Sequence, residues 1–581
     1  MKTGIRIFLA ILLTATINVS FAQDGKRKYD EAEKFTEIMN LVRNYYTDTV
    51  NDEKIVEDAI HKALEDLDPH SSYVAAKDVK STNESLVGNF EGIGITFQVL
   101  KDTIMVLEVI PSGPSEKVGL QAGDKIIKVN DTTVAGIKIT TDGVIKKLRG
   151  PKGTKVKVSM LRKSERDLID FTITRDKIPI FSITASYIAA PGTGYIRLER
   201  FSATTMQEFN QAVDKLRSQG MKNLIMDLQG NVGGYLYTAV DLCNQFLGDN
   251  ELIVYTQGLH SNYQPYFSNS HGTFKEGKVV LMIDEGSASA AEILSGCLQD
   301  NDRALLVGRR TFGKGLVQKP FTLSDGSEVK LTTAHYFTPS KRCIQKPYGK
   351  DTKEYREDYK DRYESGELFG KDTFKTTDTA KYYTIKSKRL VRGGGGISPD
   401  FYVPIDTSMN SPLFNNLLRK GVENKFCLDY VDKNRTWLNK QNASADSFYF
   451  NYHIDDKFLE QYFAAAVVDS AIKLKEGAAP KTFKDYFDAV KNDSTSNFEK
   501  DYNRSQKLIA TRLKATIGRN LFDVGMFYRV INADINNIYE RALAVMDSNK
   551  FDELLPKEDK GGNKSKGSDK GKKKTKVVTS E

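Results

Sequence analysis

The stretch "KVVLMIDEGSASAAEILSGCLQDNDRALLVG", Lys278 to Gly308, decides the reading of the fold. Two apolar runs, "KVVLMID" and "RALLVG", flank a helical segment, "AAEILSGCLQ". Apolar runs without polar alternation predict strands buried on both faces, the arrangement of parallel sheets joined by helices. The same rhythm extends outward from about Tyr195 to Pro404, through strands "GYIRLERF", "NLIMDL" and "ELIVYTQ" and helices "TMQEFNQAVDKLRSQ" and "YLYTAVDLCNQFL". It predicts an α/β core. Six small residues, Gly286 to Ala291, precede the helix, with Ser287 and Ser289 among them. "SAAE", Ser289 to Glu292, fits a capping box, in which hydroxyl and carboxylate cover free N–H groups. A helix entrance also aims N–H groups at developing negative charge, and small neighbours leave room for a peptide backbone. This segment alone leaves cap and nucleophile both open for Ser289.

The 581-residue chain is 39% hydrophobic and 10% aromatic, enough for several cores and about three or four domains. Lys2 and Arg6 precede "IFLAILLTATINV", and Ser20 and Ala22 stand before "QDG". This pattern predicts a secretory signal, residues 1–22, cut after Ala22. The alternative is an uncleaved anchor, for which the run is short against the roughly 20 apolar residues a bilayer needs. No cysteine follows Ala22, so a lipoprotein modification is not indicated; the expected location is exported, in the periplasm or cell envelope. Cys243, Cys297, Cys343 and Cys427 are too widely spaced for a disulfide framework or a CxxC metal site. The last 25 residues hold nine lysines against four acidic residues, over half of the net charge of +9. Basicity is therefore a property of a Lys-rich tail, residues 556–581, expected to be disordered, and is a weak argument for nucleic acid.

Residues 23–85 read as a helical segment, with Phe35, Ile38, Met39, Val42 and Tyr45 at helical spacing, then Ile55, Ile60 and Leu64 before the break at "LDPHSSY". His70, in that break, has no partner at metal-ligand spacing and reads as a capping or packing residue. From Phe90 the period becomes two, and short strands with two helices predict a small barrel-like module at residues 86–176. "GLQAGDKIIKVND" resembles the signature of PDZ domains, and "NFEGIGI" resembles their carboxylate-binding loop. In such a loop Gly92 and Gly94 let successive N–H groups converge on a carboxylate. The strand through Ile93 and Ile95 then adds an extended peptide against a helix bearing Val144 and Leu148. The core spans residues 177–408 and carries a charged, tyrosine-rich insertion at about 346–388, expected to be a surface excursion. Residues 409–555 read as a helical C-terminal domain without an interpretable motif.

A nucleophilic serine needs a base, and no histidine is well placed: His335 lies in a strand-like run, and His260 and His271 flank a polar loop. Lys314, in "GRRTFGKGLVQ", is the better candidate. The pair "SASAAE" and "TFGKGLVQ" resembles the Ser-Lys site of the carboxyl-terminal processing proteases, also called tail-specific proteases. The similarity extends in order through "YYTDTVNDEKIVEDAIHKALEDLDPHSSY", the PDZ-like module, "LIMDLQGNVGG" and "GGISPDFYVP". It implies a multidomain α/β protein with a ClpP/crotonase-like protease core and a PDZ domain. It further implies an endopeptidase that binds substrate C-termini and cleaves through an acyl-enzyme, with no metal or cofactor. By the same resemblance Ser289 is the nucleophile, Lys314 the base and Gln318 the group that orients it. The N–H groups of Ala290 and Gly233 form the oxyanion hole, Asp300 supports the site, and Ser287 is an accompanying serine. The family usually has Arg at Gln229, Pro at Val232 and Ser at Ala291. Expected partners are proteins with accessible, apolar C-terminal tails, a second copy of the chain, or an adaptor or envelope contact through the C-terminal region; no nucleic acid is expected.

A free lysine, with a pKa near 10.4, is only about 0.04% neutral at pH 7. Bringing its pKa near neutrality requires about 4 kcal/mol of bias against the charged form, so Lys314 is expected in a water-poor pocket near Phe312 and Leu316. Two rival readings are weaker. "GRRTFGKG" fits a phosphate-binding G-x-x-x-x-G-K, but Gly315 stands where Ser or Thr would hold magnesium, and a strand follows in place of a helix. A non-enzymatic PDZ scaffold would not need Ser289, Lys314 and Gln318 together.

Overall fold

The apolar runs form one six-stranded sheet in the computed structural model. The model describes residues 31–100, 102–162, 165–349, 352–371, 373, 378–469, 471–472, 485 and 497–555, with backbone alone at 352–354. The expected signal and Lys-rich tail lie outside the described residues. In spatial order the strands are Ile183–Ala190, Thr193–Leu198, Asn223–Asp227, Val279–Ile283, Leu305–Gly308 and Phe401–Tyr402. The first joins antiparallel and the rest are parallel. Side chains alternate between the two faces. Met226, Leu281 and Leu306 are in register and pack with Phe209, Leu242 and Leu294, from the helices Thr205–Ser218, Leu236–Asn244 and Ala290–Asp300. Ile225, Val280 and Leu305 face the other way.

That second face needs a cover, and the end of the chain supplies it. Ile538, Tyr539, Ala542 and Phe551, on helices Asn537–Asp547 and Lys550–Leu554, pack onto it. The helical region expected at 409–555 therefore divides. Its earlier helices enclose their own cluster, including Phe448, Phe463 and Leu513, while the last two complete the core sheet.

A second sheet is built on Glu328–Phe337, which pairs with Leu316–Thr322 along one edge. Ser72–Val74 and Leu252–Gly258 share its other edge, and Ser261–Phe267 completes the sheet. The segment 23–85 is thus sewn into the core, with Tyr73 opposite Val329. Its helix Glu31–Tyr45 forms as its periodicity predicts, yet only Met39 is buried; Phe35, Ile38 and Tyr45 stay exposed. The PDZ-like module is an antiparallel sheet in the order Ile95–Leu100, Thr103–Val109, Lys125–Val129, Lys155–Leu161, Ile169–Thr174, with helix Thr141–Leu148 packed on it. A separate ladder, Asn89–Gly92 with Asp176–Pro179, stands at its base.

Most of the described part of the charged insertion lies on the surface, as its composition suggests, but its helix is anchored inward at two positions, Tyr355 and Arg362. Its helix Thr352–Ser365 buries Arg362, whose guanidinium donates to the carbonyls of Arg310, Thr311 and Phe312. A guanidinium can be buried where backbone carbonyls take up its donors.

Candidate active site

The buried strand Val279–Ile283 delivers the chain to Asp284, which organises the turn beyond it. Its carboxylate accepts from the N–H groups of Gly230 (2.8 Å) and Gly286 (3.0 Å), tying the "QGNVGG" loop to the serine loop. Ser287 is fully buried, and its hydroxyl donates to the Leu228 carbonyl at 2.8 Å, so it serves structure. Ser289 follows at φ 55°, ψ −114°, a left-handed conformation costing a β-carbon-bearing residue about 1–3 kcal/mol. The helix Ala290–Asp300 begins at the next residue.

Glu292 joins the serine to the lysine. Fully buried, its carboxylate accepts from Ser289 N–H (2.9 Å), Thr311 Oγ1 (2.5 Å), Gly313 N–H (2.7 Å) and Lys314 N–H (2.8 Å). Burial raises its pKa, against the pull of these donors. The Tyr336 hydroxyl makes a second tie, sharing its proton between the carbonyls of Lys314 (2.6 Å) and Ser289 (3.1 Å). Ser289, Ala290 and Lys314 then line one cleft of about 520 Å3, whose walls include Leu236, Ile293 and Leu316. Lys314 forms no ion pair among the described residues. Desolvation lowers its pKa below the ordinary lysine value, against the attraction of Glu292 and Asp68. Ser289 and Lys314 are not hydrogen bonded to each other; such contacts are often long without substrate and tighten when it binds.

The other expected residues distribute unevenly. Ala290 N–H has no acceptor among the described residues and opens on the cleft. Gly233 N–H does not serve as expected, because it donates to Asn231 Oδ1 at 2.8 Å. Gly233 instead permits close approach: a β-carbon there would lie 2.8 Å from Ser289 Cβ and 2.9 Å from Ala290 N. Gly234, whose N–H lacks an acceptor among the described residues, lines the cleft beside Ser289. Gln318 also lines the cleft, but its amide donates to Thr332 Oγ1 at 3.1 Å and makes no hydrogen bond to Lys314. Asp300 ends the 11-residue helix that Ser289 begins, about 16 Å away at 1.5 Å per residue. There it pairs with fully buried Arg342 at 2.7 Å and accepts from Ser340 N–H, so it secures a distant loop and not the site.

In the PDZ-like module, Ile95–Leu100 is an edge strand, as peptide addition requires. Gly94 has φ +76°, whereas Gly92 pairs with Asp176 in the basal ladder. Ile93, Val144 and Leu148 are 3%, 0% and 4% exposed and share the module's core with Ile95 against them. They meet as one apolar cluster.

Two parts of the site escaped sequence reasoning. Asp227 accepts from Tyr195 (2.6 Å) and Arg197 (2.7 Å), and Arg197 also donates to the Gln229 carbonyl, shaping the loop next to Ser289. The "DPHS" turn packs near Lys314: Asp68 accepts from Ser71 and Thr332 and attracts the lysine, while His70 is repelled by it. The only available signal was the turn's place within a long ordered resemblance.

Residues 192–353 match the model of peptidase family S41, residues 92–173 that of the PDZ domain, and residues 413–523 a family of unknown function, DUF8443. Carboxy-terminal processing protease CtpA of Bacillus subtilis is 32% identical over 406 residues, 67% of this chain and 85% of its own. The chain belongs to the carboxy-terminal processing proteases. The Bartonella bacilliformis carboxy-terminal-processing protease is 33% identical over 344 residues, 58% of this chain and 78% of its own. Among solved structures, photosystem II D1 C-terminal processing protease aligns with 64% of this chain and 86% of its own, at 26% identity and a TM-score of 0.33. This carboxy-terminal processing protease is thus an S41 peptidase with a PDZ domain and a C-terminal extension.

Proposed function

We propose that this protease is an exported serine endopeptidase that captures a substrate's C-terminus in its PDZ module and cleaves the adjoining segment with a Ser289–Lys314 pair. The observation that carries the reading is Glu292. One carboxylate holds the backbones of both residues, and the lysine beside it, lowered in pKa by desolvation, forms no ion pair among the described residues. Ser289 Oγ attacks the scissile carbonyl, and the neutral Lys314 amine takes its proton. The oxyanion is held by Ala290 N–H, with Gly234 N–H as the second donor. The tetrahedral intermediate collapses as Lys314 returns the proton to the leaving amine, and water then attacks the acyl-enzyme, with Lys314 again as base. Fitting substrates are proteins with accessible, apolar C-terminal tails. Export, to the periplasm or cell envelope, rests on the predicted signal.

Incubation of an unstructured protein with an apolar tail tests the mechanism. Wild type should cleave it, with kcat/KM rising with pH as Lys314 loses its proton, and Ser289→Ala and Lys314→Ala should both be inactive. Full turnover by Lys314→Ala would overturn the assignment of the base.

A further inference from the structure

Two segments that contain neither the nucleophile nor the base meet beside the lysine loop. One is the turn Asp68–Ser71, set by Asp68, which accepts from His70 N–H (2.8 Å), Ser71 N–H (2.9 Å) and Thr332 Oγ1 (3.0 Å). The other is the insertion, whose Tyr355 is 5% exposed. They meet where His70 Nε2 and the Tyr355 hydroxyl are hydrogen bonded at 2.8 Å, with the rings edge to face at 5.3 Å. Tyr355 also packs edge to face on Phe312, two residues before Lys314, at 5.7 Å. The Lys346 ammonium lies over both rings, 3.9 Å from Phe312 and 4.0 Å from Tyr355, and pairs with Asp358. The flanks of the lysine are fastened by the same region: Lys346 N–H donates to the Gly313 carbonyl (2.9 Å), and Gly315 N–H to Gln345 Oε1 (2.7 Å).

We propose that His70 and Tyr355 are positioning residues for Lys314, their hydrogen bond joining the N-terminal turn to the insertion so that water is kept from the lysine amine. The inference deepens the Ser-Lys reading and rests on it. The titratable and charged groups packed around the lysine loop include Glu292 on the serine helix, Asp68 and His70 in the turn, Tyr336 on Glu328–Phe337, Lys346 after it, Tyr348 against Tyr355, Tyr355, Asp358 and Arg362 on the insertion helix, and Arg310 in the loop itself with its partner Glu367. His70, desolvated and repelled by Lys314 and Lys346, has its pKa lowered to about 4, so it stays neutral at working pH and adds no charge beside the amine. Opening this junction admits water and favours the ammonium form.

Tyr355→Phe removes the hydroxyl and keeps the ring on Phe312 and Lys346; His70→Gln tests the other partner. In both variants the acid limb of kcat/KM should move up by about one pH unit, a roughly tenfold loss at pH 7 that largely recovers at high pH. Competitive acylation of the Lys314 amine, read by mass spectrometry in a Ser289→Ala background, should show the same shift without turnover. A loss that is uniform across pH, or an unchanged limb with unchanged amine labelling, overturns the proposal. Lys314→Ala separates the two levels. If it is inactive while Tyr355→Phe leaves the limb in place, only the positioning role fails; if it is active, the Ser-Lys reading fails with it.

Discussion

At Glu292 the difference between a carboxylate and an amide should be visible in turnover. A carboxylate only accepts, and here four donors converge on it from the serine and lysine loops. Glutamine must turn an NH2 group toward some of them, separating the two loops by a fraction of an ångström to relieve the conflict. Misplacement of reacting groups by about 1 Å costs about 100-fold. Glu292→Gln should therefore lower kcat by roughly 10-fold, and by no more than about 100-fold, while KM changes little, a split that steady-state kinetics resolves; a matching rise in KM would place Glu292 in substrate binding. His70 has a signature in stability as well. Its pKa is lowered from 6.5 to about 4 in the folded protein, chiefly by desolvation. A depressed folded pKa contributes stability that is present above pH 6.5 and is lost as pH falls toward 4. Urea unfolding of His70→Gln should show a shallower loss of stability than wild type across that window.

At the scale of elements, the strands and helices of the core were legible because their periods differ and their runs are long; the period of two gave a small strand-rich module at 86–176, and its PDZ character was legible only through resemblance. Ser289 and Lys314 were legible through resemblance, since spacing alone left cap and nucleophile equally open. The failures have physical causes. The strand Ser72–Val74 is three residues long, too short to show a period, yet it brings Asp68 and His70 to the site. The insertion's charge marked it as surface, which most of it is, but did not show that Arg362 is buried against carbonyls and Asp358, which hydropathy cannot register. Gly233 was misassigned because sequence does not reveal that Asn231 Oδ1 takes its N–H. Arg362 offers the test at this scale. Arg362→Ala should leave the carbonyls of Arg310, Thr311 and Phe312 without that donor, loosen the lysine loop, and raise its backbone hydrogen exchange together with a loss of activity. Unchanged exchange across residues 310–315 would show that the insertion helix does not hold the loop.

At the scale of the molecule, the position of the last helices makes the catalytic core dependent on the far end of the chain. A largely parallel sheet cannot leave a face open to water, because its inward residues on both sides are apolar. Here Ile225, Val280, Met282, Leu305 and Val307 form that second face, and they are covered from more than 200 residues away by Ile538, Tyr539, Ala542 and Phe551. Ala542 is fully buried, so Ala542→Asp places an unpaired carboxylate against the sheet, at a cost of about 3 kcal/mol or more. The expected result is a drop of about 5–10 °C in the thermal midpoint of the core and binding of a hydrophobic dye, with activity lost before the PDZ module melts. The sheet carries Asp227 and Ile283 at the ends of strands that present the Gln229–Gly234 loop and Ser289, so loosening its back face must disturb the front. If the variant melts like wild type and keeps full turnover, the terminal helices are an accessory on the surface, and the core sheet is stable without them.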